Sequence, residues 1–106
     1  MIDAGVRVAI ATDLNPGSSV FNNQPYMWNL AMVYAKMTVE EGFKGVTRNA
    51  ALSLGRDNVG IIDQDAQADL LVWNGLDSIT QIPYYHYESI QNLTHRFKAG
   101  KLLKNK

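Results

Sequence analysis

Apolar side chains follow two different rhythms along this chain. From Val6 to Ala11 they are continuous apart from Arg7, and the run stops at Thr12-Asp13. A run without polar alternation predicts a strand buried on both faces, the pattern of a parallel sheet covered by helices. Asn15, Pro16, Gly17, Ser18 and Ser19 then form a dense turn cluster, because proline fixes one dihedral and glycine admits positive φ. Past the turn the rhythm becomes helical. Trp28, Ala31, Met32 and Ala35 recur at three- and four-residue spacing and Pro25 suits a first turn, which predicts a helix over 25–36. Thr38, with Glu41 three residues on, has the form of a capping box, so a second helix begins there. Its period carries Phe43, Val46, Ala50 and Leu54 inward, and Gly55 is placed to end it in a left-handed conformation.

After Gly55, turn signals and short strands replace the helical period. Ile61-Ile62 and the nearly continuous apolar run 68–73 read as sheet. Asn74-Gly75 is a strong two-residue turn signal, although Leu76-Asp77-Ser78 is no clear strand partner. Near the end, 93–97 alternates weakly and Ala99-Gly100-Lys101 can turn the chain into Leu102-Leu103, so a last hairpin is expected. The two textures meet within 56–60 and give an α/β chain with one parallel-type strand. Such a strand needs a neighbour on each side. The chain is therefore expected either to be the last piece of a larger barrel or to assemble with copies of itself.

Composition narrows the classes of function. The chain has 106 residues, enough for one small domain, and 46% of them are hydrophobic. Ten basic and ten acidic side chains cancel, and like charge clusters only in the lysine-rich tail 101–106, which disfavours nucleic acid and membrane as partners. There is no cysteine, which removes disulfides, thiolate nucleophiles and cysteine-ligated zinc together. The apolar core of the first residues is too short to span a bilayer, and Asp3 does not suit a signal peptide, so a cytoplasmic setting is expected.

Candidate chemistry centres on Asp13. Taken from the residues alone, an Asp before Asn-Pro-Gly is more commonly an Asx turn or a strand terminator than a catalytic group. Asn15 and Ser18 are equally loop formers, and Gly17 equally a residue chosen for its dihedral freedom. His86 and His95 stand nine positions apart among aromatic and basic residues, which is no metal-ligand spacing. Thr47-Arg48-Asn49 and the set Trp28, Met32 and Tyr34 read as packing.

The segments "ATDLNPGSS", "MTVEEGFKGVTRNAALSLG" and "ADLLVWN", in this order and at these distances, resemble the C-terminal quarter of the imidazolonepropionases, a family of the metal-dependent amidohydrolase superfamily acting in histidine degradation. The resemblance implies that residues 1–57 are the C-terminal end of a catalytic (β/α)8 barrel, strand eight and the following helices. Residues 58–106 would be closing strands of a small flanking β-sandwich domain. It makes Asp13, at the end of strand eight, both a metal ligand and the catalytic acceptor of a proton from water. Asn15, Gly17 and Ser18 would contact substrate in the loop above. The implied cofactor is a divalent metal, zinc or iron, held only in the complete enzyme, because this chain lacks the His-x-His pair such barrels need. The implied reaction is hydrolysis of 4-imidazolone-5-propanoate, a small-molecule substrate, to N-formimidoyl-L-glutamate, and the chain alone is expected to be inactive. A homo-oligomer is expected. Two other readings stand beside this one: another cyclic-amide hydrolase or aminohydrolase of the superfamily, and a non-catalytic, self-associating fragment.

Overall fold

The computed structural model describes residues 1–85 and 90–104, so His86 lies outside the described residues. A short 3-10 turn at Ile2–Ala4 precedes helices α1 (Gln24–Ala35), α2 (Val39–Val46) and α3 (Arg48–Ser53). Strand β1 (Leu70–Trp73), helix α4 (Gln81–Tyr84), and strands β2 (Leu93–Lys98) and β3 (Lys101–Leu102) follow.

Local signals set the helix starts. Asn23 caps α1 by accepting a hydrogen bond from the Tyr26 amide at 3.0 Å, and Pro25 occupies the first turn, where its missing N–H leaves no bond unmade. The capping box forms in full: Thr38 Oγ1 accepts from the Glu41 amide at 3.2 Å, and the Glu41 carboxylate accepts from the Thr38 amide at 2.8 Å. α1 packs against α2 and α4, and α2 against α3. Their meeting places hold the buried side chains Trp28, Met37, Ala51, Val59, Ile82 and Pro83.

The helical period is less faithful about what lies inside. The expected single second helix breaks at Thr47, whose φ of −121° and ψ of −94° are not helical. Thr47 Oγ1 donates to the Phe43 carbonyl at 2.7 Å, a back-bond that bends helices. Gly60 presses on the same turn: a Cβ there would stand 2.7 Å from the Thr47 carbonyl oxygen. Beyond the break the inward stripe is lost, and Leu54 is 77% exposed, while Gly55 does take the expected positive φ of 68°. Two glycines are buried instead. Gly42 lets Trp28 lie directly on α2, and Gly45 lets Ile10 do so. In α1 only Trp28 is buried, its ring 5.7 Å from that of Phe43, whereas Tyr34 is 79% exposed.

The sheet is antiparallel, in the order β1-β2-β3. Leu70 faces Phe97 and Val72 faces His95, with a bulge between Val72 and Trp73. The last hairpin forms as expected, with Ala99 at φ 49° and Gly100 at φ 77°, the pair of positive values that a tight primed turn requires. Asn74-Gly75 leads into α4 and not into a hairpin, and Ile61-Ile62 is an exposed bend and not a strand.

The strand expected over 6–11 is absent as such. A strand exists only as a member of a ladder, and no described segment pairs with these residues in one. They form an irregular run fastened to the helices. No helix among the described residues is long and apolar enough to cross a membrane.

Candidate functional site

Residues 6–12 reach the site along a row of alternate tethers. The Val8 carbonyl accepts from Asn49 Nδ2 at 3.0 Å. The Ile10 amide donates to the Gly45 carbonyl at 2.9 Å, and the Ile10 carbonyl accepts from Gln24 Nε2 at 2.8 Å. The Thr12 carbonyl accepts from Ser19 Oγ at 2.6 Å. Arg7, Ala9 and Ala11 make no backbone hydrogen bond to any described residue. This period of two leaves one edge fastened to α1, α2 and α3 and the other open.

The loop beyond is built around Asn15. Its Oδ1 accepts from the Gly17 and Ser18 amides, both at 2.8 Å, which closes an Asx turn. Its Nδ2 donates to the Asp13 carbonyl at 2.7 Å and to Ser18 Oγ at 3.3 Å, and its own amide reaches the Ser19 carbonyl at 2.9 Å. Two lone pairs and two amide hydrogens are the whole capacity of an asparagine side chain, so Asn15 is fully engaged. The Gly17 and Ser18 amides are spent on it. Ser18 Oγ receives a hydrogen bond there and keeps its own proton to donate outward.

Asp13 is exposed and sits in the left-handed region at φ 51°. Its carboxylate makes no hydrogen bond or ion pair to any described residue. The structure thus brings Asp13, Asn15, Gly17 and Ser18 into one loop, whose side-chain groups without a partner among the described residues are the Asp13 carboxylate and the Ser18 hydroxyl proton. Cavities of about 310 and 300 Å³ open elsewhere, beside α4, and no residue of this loop lines them.

Asp69 is the carboxylate that sequence reasoning passed over. It accepts from Lys98 Nζ, from the Ala99 amide at 2.8 Å and from Gln67 Nε2 at 2.9 Å on each oxygen. The Lys98 ammonium foremost, then the Ala99 amide and Gln67, hold it well below the ordinary carboxylate value. It is a tie between β1 and the last hairpin. His95 is exposed, shares a hydrogen bond with Thr94 through Nδ1 at 3.0 Å and stacks over Phe97. Ser19, Gln24 and Asn49 were also missed, because their partners lie 7, 14 and 41 residues away and no local pattern announces such pairs.

A metal site needs several converging donors, and no group of three His, Cys, Asp or Glu among the described residues could hold an ion. Asp13 offers a hard oxygen donor without a competing partner among the described residues, so the chain could supply one ligand to a divalent metal, and its described residues do not hold one alone.

Comparison with known proteins agrees with the resemblance read from the motifs. The chain is 41% identical over 104 residues to the imidazolonepropionase of Phocaeicola vulgatus, covering 97% of this chain and 24% of that protein. It is 41% identical over 102 residues to the imidazolonepropionase of Bacillus velezensis, covering 95% of this chain and 24% of that protein. Against that of Idiomarina loihiensis it is 47% identical over 74 residues, 70% of this chain and 18% of that protein. The chain spans about a quarter of the length of these curated relatives and matches their C-terminal segment. The amidohydrolase family profile matches residues 1–104, and the chain belongs to that family.

Proposed function

We propose that this chain is the C-terminal part of an imidazolonepropionase, which opens the ring of 4-imidazolone-5-propanoate to give N-formimidoyl-L-glutamate. The observation that carries the reading is the Asp13 carboxylate, exposed and without a partner among the described residues, on a loop whose Asn15 side chain is fully engaged in holding the turn. The relatives' shared name supports the reaction. In this reading residues 1–57 complete a catalytic (β/α)8 barrel and 58–106 close a small β domain. The open edge at Arg7, Ala9 and Ala11 supports a place for a neighbouring strand. So do the exposed apolar side chains Val6, Leu14, Val20 and Phe21 around it.

Asp13 then has two roles. Its carboxylate is one ligand of a divalent metal, zinc or iron, in the complete enzyme, and it accepts the proton of the attacking water. The metal, when bound, supplies Lewis-acid polarisation and a water of lowered pKa. Water oxygen adds to the ring amide carbonyl, the ring C–N bond breaks, and the departing nitrogen takes a proton. Ser18 offers its hydroxyl hydrogen to the substrate. Gly17 leaves room for close approach, and Asn15 contacts substrate by giving up its longest bond, the 3.3 Å contact to Ser18 Oγ. Without neighbours the apolar surface around residues 6–21 favours self-association, and a cytoplasmic setting suits the cysteine-free composition.

The test joins this chain to the upstream part of the Phocaeicola vulgatus relative and profiles the hybrid enzyme on a panel of cyclic amides and ring amines. Ring opening of 4-imidazolone-5-propanoate in preference to the others is expected. Preference for a different ring would move the chain to another amidohydrolase.

A further inference from the structure

We infer that Ser19 is a positioning residue: through its hydroxyl it helps set the direction of the Asp13 Cα–Cβ bond, and with it the region the carboxylate can reach. Asp13 has φ 51°, in the left-handed region that favours glycine and that an aspartate keeps where its surroundings hold it. Two rotations fix where the Cα–Cβ bond of Asp13 points. One turns the peptide plane before it, which carries the Thr12 carbonyl, and the other turns the plane after it, which carries the Asp13 carbonyl. Ser19 Oγ donates to the first carbonyl at 2.6 Å, and Asn15 Nδ2 donates to the second at 2.7 Å. Each plane is pinned by one side chain. Ser19 is itself fixed, since its carbonyl accepts from the Asn15 amide at 2.9 Å, in an isolated bridge between the two residues. The carboxylate makes no contact of its own to a described residue, so the region its oxygens can reach is set by the Cα–Cβ direction that these two planes fix. Ser19 touches no reacting group in this account. It acts through Thr12.

The importance of this aim for chemistry rests on the reading of Asp13 as metal ligand and proton acceptor, but the geometry stands without it, and the experiment separates the two. On this chain, NMR reads φ at Asp13 directly, because a positive φ brings the amide and α protons of one residue close and gives a strong cross-peak between them. Wild type and Ser19→Thr, which keeps the hydroxyl, are expected to show that strong cross-peak, and Ser19→Ala to show it weakened, with the other resonances of α1 and α2 unmoved. A cross-peak equally strong in Ser19→Ala overturns the inference. So does a loss that Ser19→Thr shares, because the hydroxyl is then not the cause. In the hybrid enzyme, Ser19→Ala is expected to lower metal affinity and kcat by about 3- to 10-fold, the worth of one hydrogen bond, with KM unchanged and with Ser19→Thr recovering both. Wild-type metal affinity and kcat in Ser19→Ala, where Asp13→Asn loses both, also overturn the inference. Asp13→Asn is run beside it. If that variant keeps metal and turnover while the NMR result holds, the functional reading of Asp13 has failed and the positioning by Ser19 has not.

Discussion

Two aspartates in this chain show what surroundings do to the same side chain. Asp69 stands where β1 meets the last hairpin and accepts from an ammonium, a backbone amide and a side-chain amide. Its acceptor capacity is spent on closing the sheet. Asp13 stands at the end of an irregular run, and there the loop's donors satisfy its backbone carbonyl while leaving its carboxylate alone. A carboxylate whose bonds are all internal is a structural tie. One whose backbone is fixed and whose oxygens are free is available for chemistry. The Asx turn at Asn15 links the two readings of the opening loop, because the turn-forming side chain also fixes the backbone carbonyl of Asp13.

The contrast breaks most visibly at Asp13. In the hybrid enzyme Asp13→Asn is expected to cost about 10²- to 10⁴-fold in turnover, the range for a lost general base, while circular dichroism stays that of the parent. An amide neither takes a proton nor binds a metal well.

On the structural side the largest effect is expected at Gly42. A Cβ there would lie 2.2 Å from Trp28 Nε1 and 2.3 Å from Cδ1, so the most buried ring of α1 would have to move. Alanine favours a helix interior over glycine by about 1 kcal/mol, but overpacking costs about 1–3 kcal/mol, so Gly42→Ala should lower the thermal midpoint. A midpoint at or above that of the parent would show that Trp28 has room to yield.

Ser18 sharpens the contrast within the loop. Ser18→Ala should reduce kcat/KM of the hybrid several-fold to about tenfold, the worth of one net hydrogen bond of about 0.5–1.5 kcal/mol, with metal content unchanged. Loss of metal in that variant would put the hydroxyl against the ion and not the substrate.

The gentlest effect belongs to Asp69 and appears as a pH dependence. A carboxylate held below its ordinary value of 3.8 adds stability that is complete above that value and is lost as pH falls through the lowered one. Thermal midpoints of Asp69→Asn and the parent should therefore differ at neutral pH and converge in strong acid. A constant difference down to the lowest pH would remove the ionised form from the account.

How far the sequence could show this depends on the reach of each interaction. The capping box at Thr38 and Glu41, the first helical turn at Pro25, and the Ala99-Gly100 turn were legible because each is decided within about four residues. The break at Thr47 was not, since it depends on a side-chain back-bond and on Gly60 approaching from thirteen positions away. Continuous apolarity over 6–11 was read as a strand, yet that pattern records what the residues can be buried against and not whether a ladder is beside them. The site divides in the same way. Asp13, Asn15, Gly17 and Ser18 are close neighbours and were legible as a group. The hydroxyl of Ser19 on Thr12 and the Asp69–Lys98 pair link residues that no short motif joins.

One paired measurement tests the central claim most directly. Asparagine replaces aspartate at each position in the hybrid enzyme, the same chemical change made twice, and turnover and thermal midpoint are measured on the same preparations at neutral pH. The account predicts a crossed result: Asp13→Asn keeps the parent's midpoint and loses turnover, whereas Asp69→Asn keeps turnover and melts lower. Near-normal ring opening by Asp13→Asn, with its metal content unchanged, would contradict it and leave Asp13 a turn residue.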